Sequence, residues 1–167
     1  MLKTSTKGAF YNDLSYIFKE SLAIPDNQRK YVWKKNNAED MWSDIEECFK
    51  KETSLFFGTF IFYKDDQASP KQIVDGQQRI TSIHLFLIAF RKLLQKYAKE
   101  GKLKGPALDL PGLIRRDLGI GKEKGQFTPS KQISKIYDLM LKEDFEGSFE
   151  NKDFINKYSE NEEDSPN

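Results

Sequence analysis

The chain is poor in the residues that carry most metal and redox chemistry. Its 167 residues include one cysteine, Cys48, and one histidine, His84. A single cysteine excludes an internal disulfide and any multi-cysteine zinc site, and it fits a reduced compartment. A single histidine excludes a His-pair metal site and the two-histidine nuclease designs. Charge of one sign is lacking too: 27 Lys and Arg against 26 Asp and Glu leave a net charge of +1, with no global case for nucleic acid or membrane. No apolar run approaches the ~18 residues that suggest a membrane span. The opening MLKTSTKGAFYNDLS lacks the apolar core of a signal peptide, so a cytoplasmic setting is expected.

What the chain does have is enough apolar material for one domain: 38% hydrophobic residues, 13 of them Phe. Charge is uneven along it. From Arg91 to Lys135 basic residues outnumber acidic ones about three to one, and the tail after Glu143 is mainly acidic.

The chain is organised around Ile73 to Leu94, IVDGQQRITSIHLFLIAFRKLL. A short β-branched run stops at Asp75-Gly76, and a long apolar helix pattern begins at once. Such a junction aims the free N–H groups of a helix start at whatever lies before it. Asp75, Gln77, Gln78, Arg79, Thr81 and Ser82 crowd this corner. Two readings compete. In one, Asp75 is an N-cap and Gln78 closes a capping box. In the other, an anion sits between the helix start, Arg79 and the hydroxyls of Thr81 and Ser82, which explains a cation in a first turn where the macrodipole disfavours it. His84, inside the most apolar stretch, reads as a hydrogen-bonded buried residue rather than a catalytic one.

The remaining pattern predicts an α+β fold. Asn12 to Ser21 reads as a short helix capped by Asn12 or Asp13, and Leu22 to Pro25 as extended. Asp26 to Trp33 reads as a loop dense in amides and cations, with Tyr31 and Trp33 tucked inward. Asn37 to Lys51 reads as an amphipathic helix with Met41, Ile45 and Cys48 or Phe49 on its apolar stripe and Trp42 alongside. Leu55 to Tyr63, LFFGTFIFY, reads as a central strand buried on both faces, with Gly58 marking a bulge or a close approach by backbone or ligand. A polar turn from Lys64 to Pro70 joins it to 71–74 as an antiparallel hairpin. The helix from Gly76 should run to about Lys99 and pack on a small mixed sheet. Gly101 to Gln126 reads as a loop, with extended pieces near Leu113-Ile114 and Phe127. A last helix is expected from Lys131 to Glu143. Residues 1–146 form the expected domain, and 147–167 an acidic, disordered tail or the start of a further region.

Two stretches together resemble one family. IPDNQRKYVW (24–33) and VDGQQRITS (74–82), separated by the FFGTF run, are similar to the GmrSD-type restriction endonuclease N-terminal domain of the ParB/sulfiredoxin-like superfamily. Ile24, Pro25, Gln28, Arg29, Tyr31 and Trp33 match the first motif, whereas Asn27 replaces its usual aromatic; the second matches throughout Asp75 to Thr81. The resemblance implies a nucleotide-binding and hydrolysing module of a system that restricts modified foreign DNA. Its nuclease lies in a further domain or partner, so this chain is expected to be the front part of a larger system. It also implies an NTP and Mg²⁺, with Asp75, Gln77 and Gln78 as catalytic residues and Asp75 as metal ligand. Gln28, Arg29, Gly76, Arg79, Thr81 and Ser82 would bind nucleotide or phosphate, with Tyr31, Trp33 and Gly58 packing around them. Two other functions stay open: a non-catalytic DNA-binding or nucleotide-sensing module, and a structural half of a larger enzyme.

Overall fold

A computed structural model describes residues 13–64, 70–120 and 127–142. Its elements in order are α1 (Ser15–Lys19), β1 (Leu22–Ala23), α2 (Lys35–Lys50), β2 (Ile61–Tyr63), β3 (Lys71–Asp75), α3 (Gln77–Lys99), α4 (Leu110–Asp117), β4 (Phe127–Thr128) and α5 (Lys131–Leu141). A 3-10 turn, Gly105–Asp109, leads into α4. The α+β expectation with a small mixed sheet holds. Four strands lie in the order β2-β3-β1-β4, with β1 parallel to both β3 and β4 and β2 antiparallel to β3.

The core forms where α3 crosses this sheet. Ile73 of β3, Leu22 of β1 and Phe127 of β4 meet Ile80 and Ile88 of α3, with Tyr137 and Met140 of α5 closing the far side. The apolar run of α3 has no solvent-facing stripe in its first turns: Ile80 to His84 are all buried. His84 is buried and neutral. Its Nδ1 lies 3.1 Å from the Tyr137 hydroxyl, and its ring stacks on Phe127 at 4.3 Å. Burial holds its pKa down to about 3 and pushes the Tyr137 hydroxyl up.

Several expectations need correction. Leu55 to Tyr63 is not a central strand: only Ile61–Tyr63 pairs, and it pairs at the sheet's edge. Gly58 breaks the extended run at φ 84°, and the carbonyls of Phe57 and Thr59 bond an arginine instead of a ladder. Aromatic content misled here, because Phe56, Ile61 and Tyr63 face solvent while Phe60 and Phe62 turn in. Leu113-Ile114 is helical rather than extended, within α4. Prolines 106 and 111 are the second residues of the 3-10 turn and of α4, within the first turn where a missing N–H costs nothing. On α2 the apolar stripe runs through Cys48, and Phe49 is 83% exposed; no residue of that helix is fully buried. The turn around 65–69, the end of the expected loop at 121–126, the boundary at 146 and the tail lie outside the described residues.

Candidate functional site

The functional corner forms where β3 ends and α3 begins. Gly76 makes the turn in the left-handed region at φ 89°, and it is the N-cap residue of α3. The capping box expected from Asp75 and Gln78 does not form, because no side chain caps the helix. The Asp75 side chain instead stays 61% exposed, with one contact at 3.5 Å to Arg79. Gln78 has turned the other way, into the 26–33 loop. The first N–H groups of α3 therefore carry their partial positive charge uncapped.

Two loops flank that start. The first, 26–33, is held by its own backbone. Gln78 Nε2 donates to Lys30 O at 3.0 Å, and Gln78 Oε1 accepts the Val32 N–H at 2.8 Å. Gln77 Nε2 donates to Arg29 O at 3.3 Å, and Gln28 Nε2 reaches Val74 O at 3.4 Å. The Tyr31 hydroxyl meets Ser82 Oγ at 2.8 Å, and burial raises its pKa despite that bond. From α5, Gln132 Oε1 accepts the Tyr31 N–H at 2.9 Å and Lys131 pairs with Asp26 at 2.6 Å. The dense amides of both motifs thus find each other, which explains why one short loop carries so many of them.

The second loop runs through Phe57 to Phe60 and is held by Arg79. Its Nη1 donates to Phe57 O and its Nη2 to Thr59 O, both at 2.7 Å. The Phe60 ring lies 4.9 Å from the guanidinium carbon.

Between the loops lies a pocket of about 260 Å³, lined by Gln28, Arg29, Trp33, Val74, Asp75, Gly76, Gln77, Gln78 and Arg79. The structure thus brings both motifs onto one cavity, although they are some fifty residues apart. Thr81 and Ser82 do not line it; they are buried beneath, with the Ser82 hydroxyl shared between Tyr31 and Gln78 O. Tyr31 lies behind the wall, and Gly58 sits against Arg79. Arg29 is exposed, and its guanidinium makes no hydrogen bond or ion pair among the described residues. Gln77 is 95% buried (5% exposed), and its Oε1 has no partner among the described residues.

A family model described as the GmrSD restriction endonuclease, N-terminal domain, matches residues 11–167. The chain belongs to that family. Membership in the GmrSD N-terminal family points to a component of a restriction system. A comparison with curated proteins found no match. Among the described residues no helix is long and apolar enough to cross a membrane.

Sequence reasoning missed two parts of this corner. Phe60, which fills the space over Gly76, carries no signal that separates it from the other phenylalanines of its run. Gln132 reaches Tyr31 across 101 residues, and no local pattern announces that contact.

Proposed function

We propose that this GmrSD-family domain binds and hydrolyses a nucleoside triphosphate in the pocket at the start of α3, within a system that restricts modified foreign DNA. The observation that carries this reading is one convergence: an uncapped helix start, the uncommitted Arg29 guanidinium and the exposed Asp75 carboxylate all face a single cavity. Helix N–H groups and a forked guanidinium suit phosphate oxygens. Trp33 offers an aromatic wall for the rest of the nucleotide. A small mixed sheet leading by strand and turn into a long helix also fits the ParB/sulfiredoxin-like fold.

The residues present fit Mg²⁺ as a companion of the nucleotide. Among the described residues no group of three His, Cys, Asp or Glu side chains could hold a metal unaided. Mg²⁺ is commonly bound by one or two carboxylates plus substrate phosphates, and Asp75 is the pocket's carboxylate. When bound, the ion would offset phosphate charge during hydrolysis. Asp75 would hold it or orient the attacking water. Gln28 and Gln77 line the site, and Gln78 acts one step removed by fixing the backbone of Lys30 to Val32. Thr81 and Ser82 brace the corner from below. DNA and a nuclease domain or subunit complete the system.

The test is a nucleotide titration with and without Mg²⁺, followed by phosphate release with the nuclease half supplied. Saturable, Mg²⁺-dependent binding and turnover are expected. A chain that binds no nucleotide but shifts DNA in a steeply salt-dependent way belongs to the DNA-binding reading instead.

A further inference from the structure

We propose that the two arginines of the pocket have different tasks: Arg79 is a positioning residue that locks the 57–60 segment beside the site, while Arg29 meets the phosphate charge. This rests on the nucleotide reading and says which side chain does what within it.

Arg79 spends both ends of its fork on protein. Nη1 and Nη2 bind Phe57 O and Thr59 O at 2.7 Å each, while its approach to Asp75 is a long 3.5 Å. Gly58, between those carbonyls, is shaped for this contact. A Cβ built there would stand 1.8 Å from Arg79 Nη1, and the backbone is held at φ 84°. The same fit recurs on the other side of the lock. A Cβ on Gly76 would stand 2.4 Å from the Phe60 ring, whose face lies under the Arg79 guanidinium. Two left-handed glycines, one ring and one guanidinium therefore form a single interlocked unit. To reach a phosphate with its fork, Arg79 must release two short bonds. Arg29 has none to release among the described residues.

The two roles differ in how they depend on phosphate number. A side chain that touches phosphate loses more affinity for a triphosphate than for a monophosphate when removed. A side chain that shapes the wall loses the same factor for each. The experiment measures affinity for a nucleoside mono-, di- and triphosphate with Mg²⁺ in the full chain, for wild type, Arg29→Ala, Arg79→Ala, Arg79→Lys and Gly58→Ala. The loss in Arg29→Ala should grow with each phosphate. Arg79→Ala should lose a similar factor, about tenfold, across the series. Arg79→Lys should fail to rescue it, since an ammonium restores charge but cannot span two carbonyls. Gly58→Ala should match Arg79→Ala, because the new methyl group evicts the guanidinium.

Hydrogen exchange of the β2 amides, Ile61–Tyr63, supplies a readout without nucleotide; it should quicken in Arg79→Ala and Arg79→Lys. A wild-type chain that binds no nucleotide ends the nucleotide reading, and the exchange data then judge the lock alone. The proposal is overturned if the Arg79→Ala loss rises with phosphate number and lysine rescues it, or if β2 exchange is unchanged in the Arg79 variants. Should Gly58→Ala not fold, the lysine variant still decides.

Discussion

The two loops beside the start of α3 are held in opposite ways. Loop 26–33 is tied by many weak points spread over Gln28, Gln77, Gln78, Ser82 and Gln132, most of them on its backbone. Among the described residues, the side-chain hydrogen bonds to the 57–60 segment come from one guanidinium, beside which its own Phe60 ring packs on the core. Redundant bonds make the first a rigid part of the fold. A single anchor makes the second sensitive to one side chain. Rigid placement suits the loop that presents Arg29, since a cation must already point at the site if binding is not to spend free energy on ordering it.

The largest loss of stability is nevertheless expected at Gln78, because the loop's other ties do not serve the two backbone groups that this one side chain pairs. Gln78→Ala leaves Lys30 O and Val32 N–H without their partner in a part-buried setting, at a cost of about 3 kcal/mol. Arg79→Ala should cost about half as much, because Thr59 is exposed and water can replace the guanidinium there. Urea denaturation compares them; equal midpoints would erase the distinction between the loops.

A control comes from His84, two turns into the same helix and in contact with neither loop. Its pKa is near 3 when folded and about 6.5 when unfolded, so the unfolded chain binds the extra proton. Stability from this group is fully present above pH ~6.5 and falls by about 1.4 kcal/mol per pH unit below it, until the pH nears the folded value. Denaturation between pH 7 and 5 should show this slope in wild type and not in His84→Gln. An unchanged slope in the variant would assign the acid sensitivity to other groups.

Smaller effects sharpen the picture. Tyr31→Phe removes one bond to Ser82, whose hydroxyl also bonds Gln78 O, and should cost about 1 kcal/mol. Asp75→Asn should change stability by less than about 0.5 kcal/mol, because Asp75 is exposed and caps nothing. Phosphate release should nevertheless fall sharply in that variant, since its carboxylate is assigned to the reaction rather than the fold. A Tm shift of several degrees would restore Asp75 to a structural role.

Parts of this architecture were legible from residues alone. The switch from a β-branched pair to a long apolar helix at Asp75-Gly76 located β3 and α3, and the hairpin with β2 followed. The two polar motifs pointed to one pocket. The details of the corner were not legible, because they depend on chain segments far apart. Asp75 followed by Gln78 has the spacing of a capping box, yet Gln78 finds better partners in a loop 46 to 48 residues away. Gly58 promised a close approach, and only the fold shows that a side chain, Arg79, makes it. The α4 helix hid behind Pro111 and Gly112, although Leu110, Leu113 and Ile114 keep helical spacing and proline is at home in a first turn.

The central claim is that the open side of this corner, led by Arg29, receives the phosphates while the tied side only holds the loop in place. The most direct measurement is triphosphate affinity with Mg²⁺ for Arg29→Ala against wild type at one salt concentration, with Tm recorded for both. The account predicts a loss of at least about tenfold in affinity at an unchanged Tm, as removal of an exposed charge-assisted contact requires. Wild-type affinity in Arg29→Ala would contradict it.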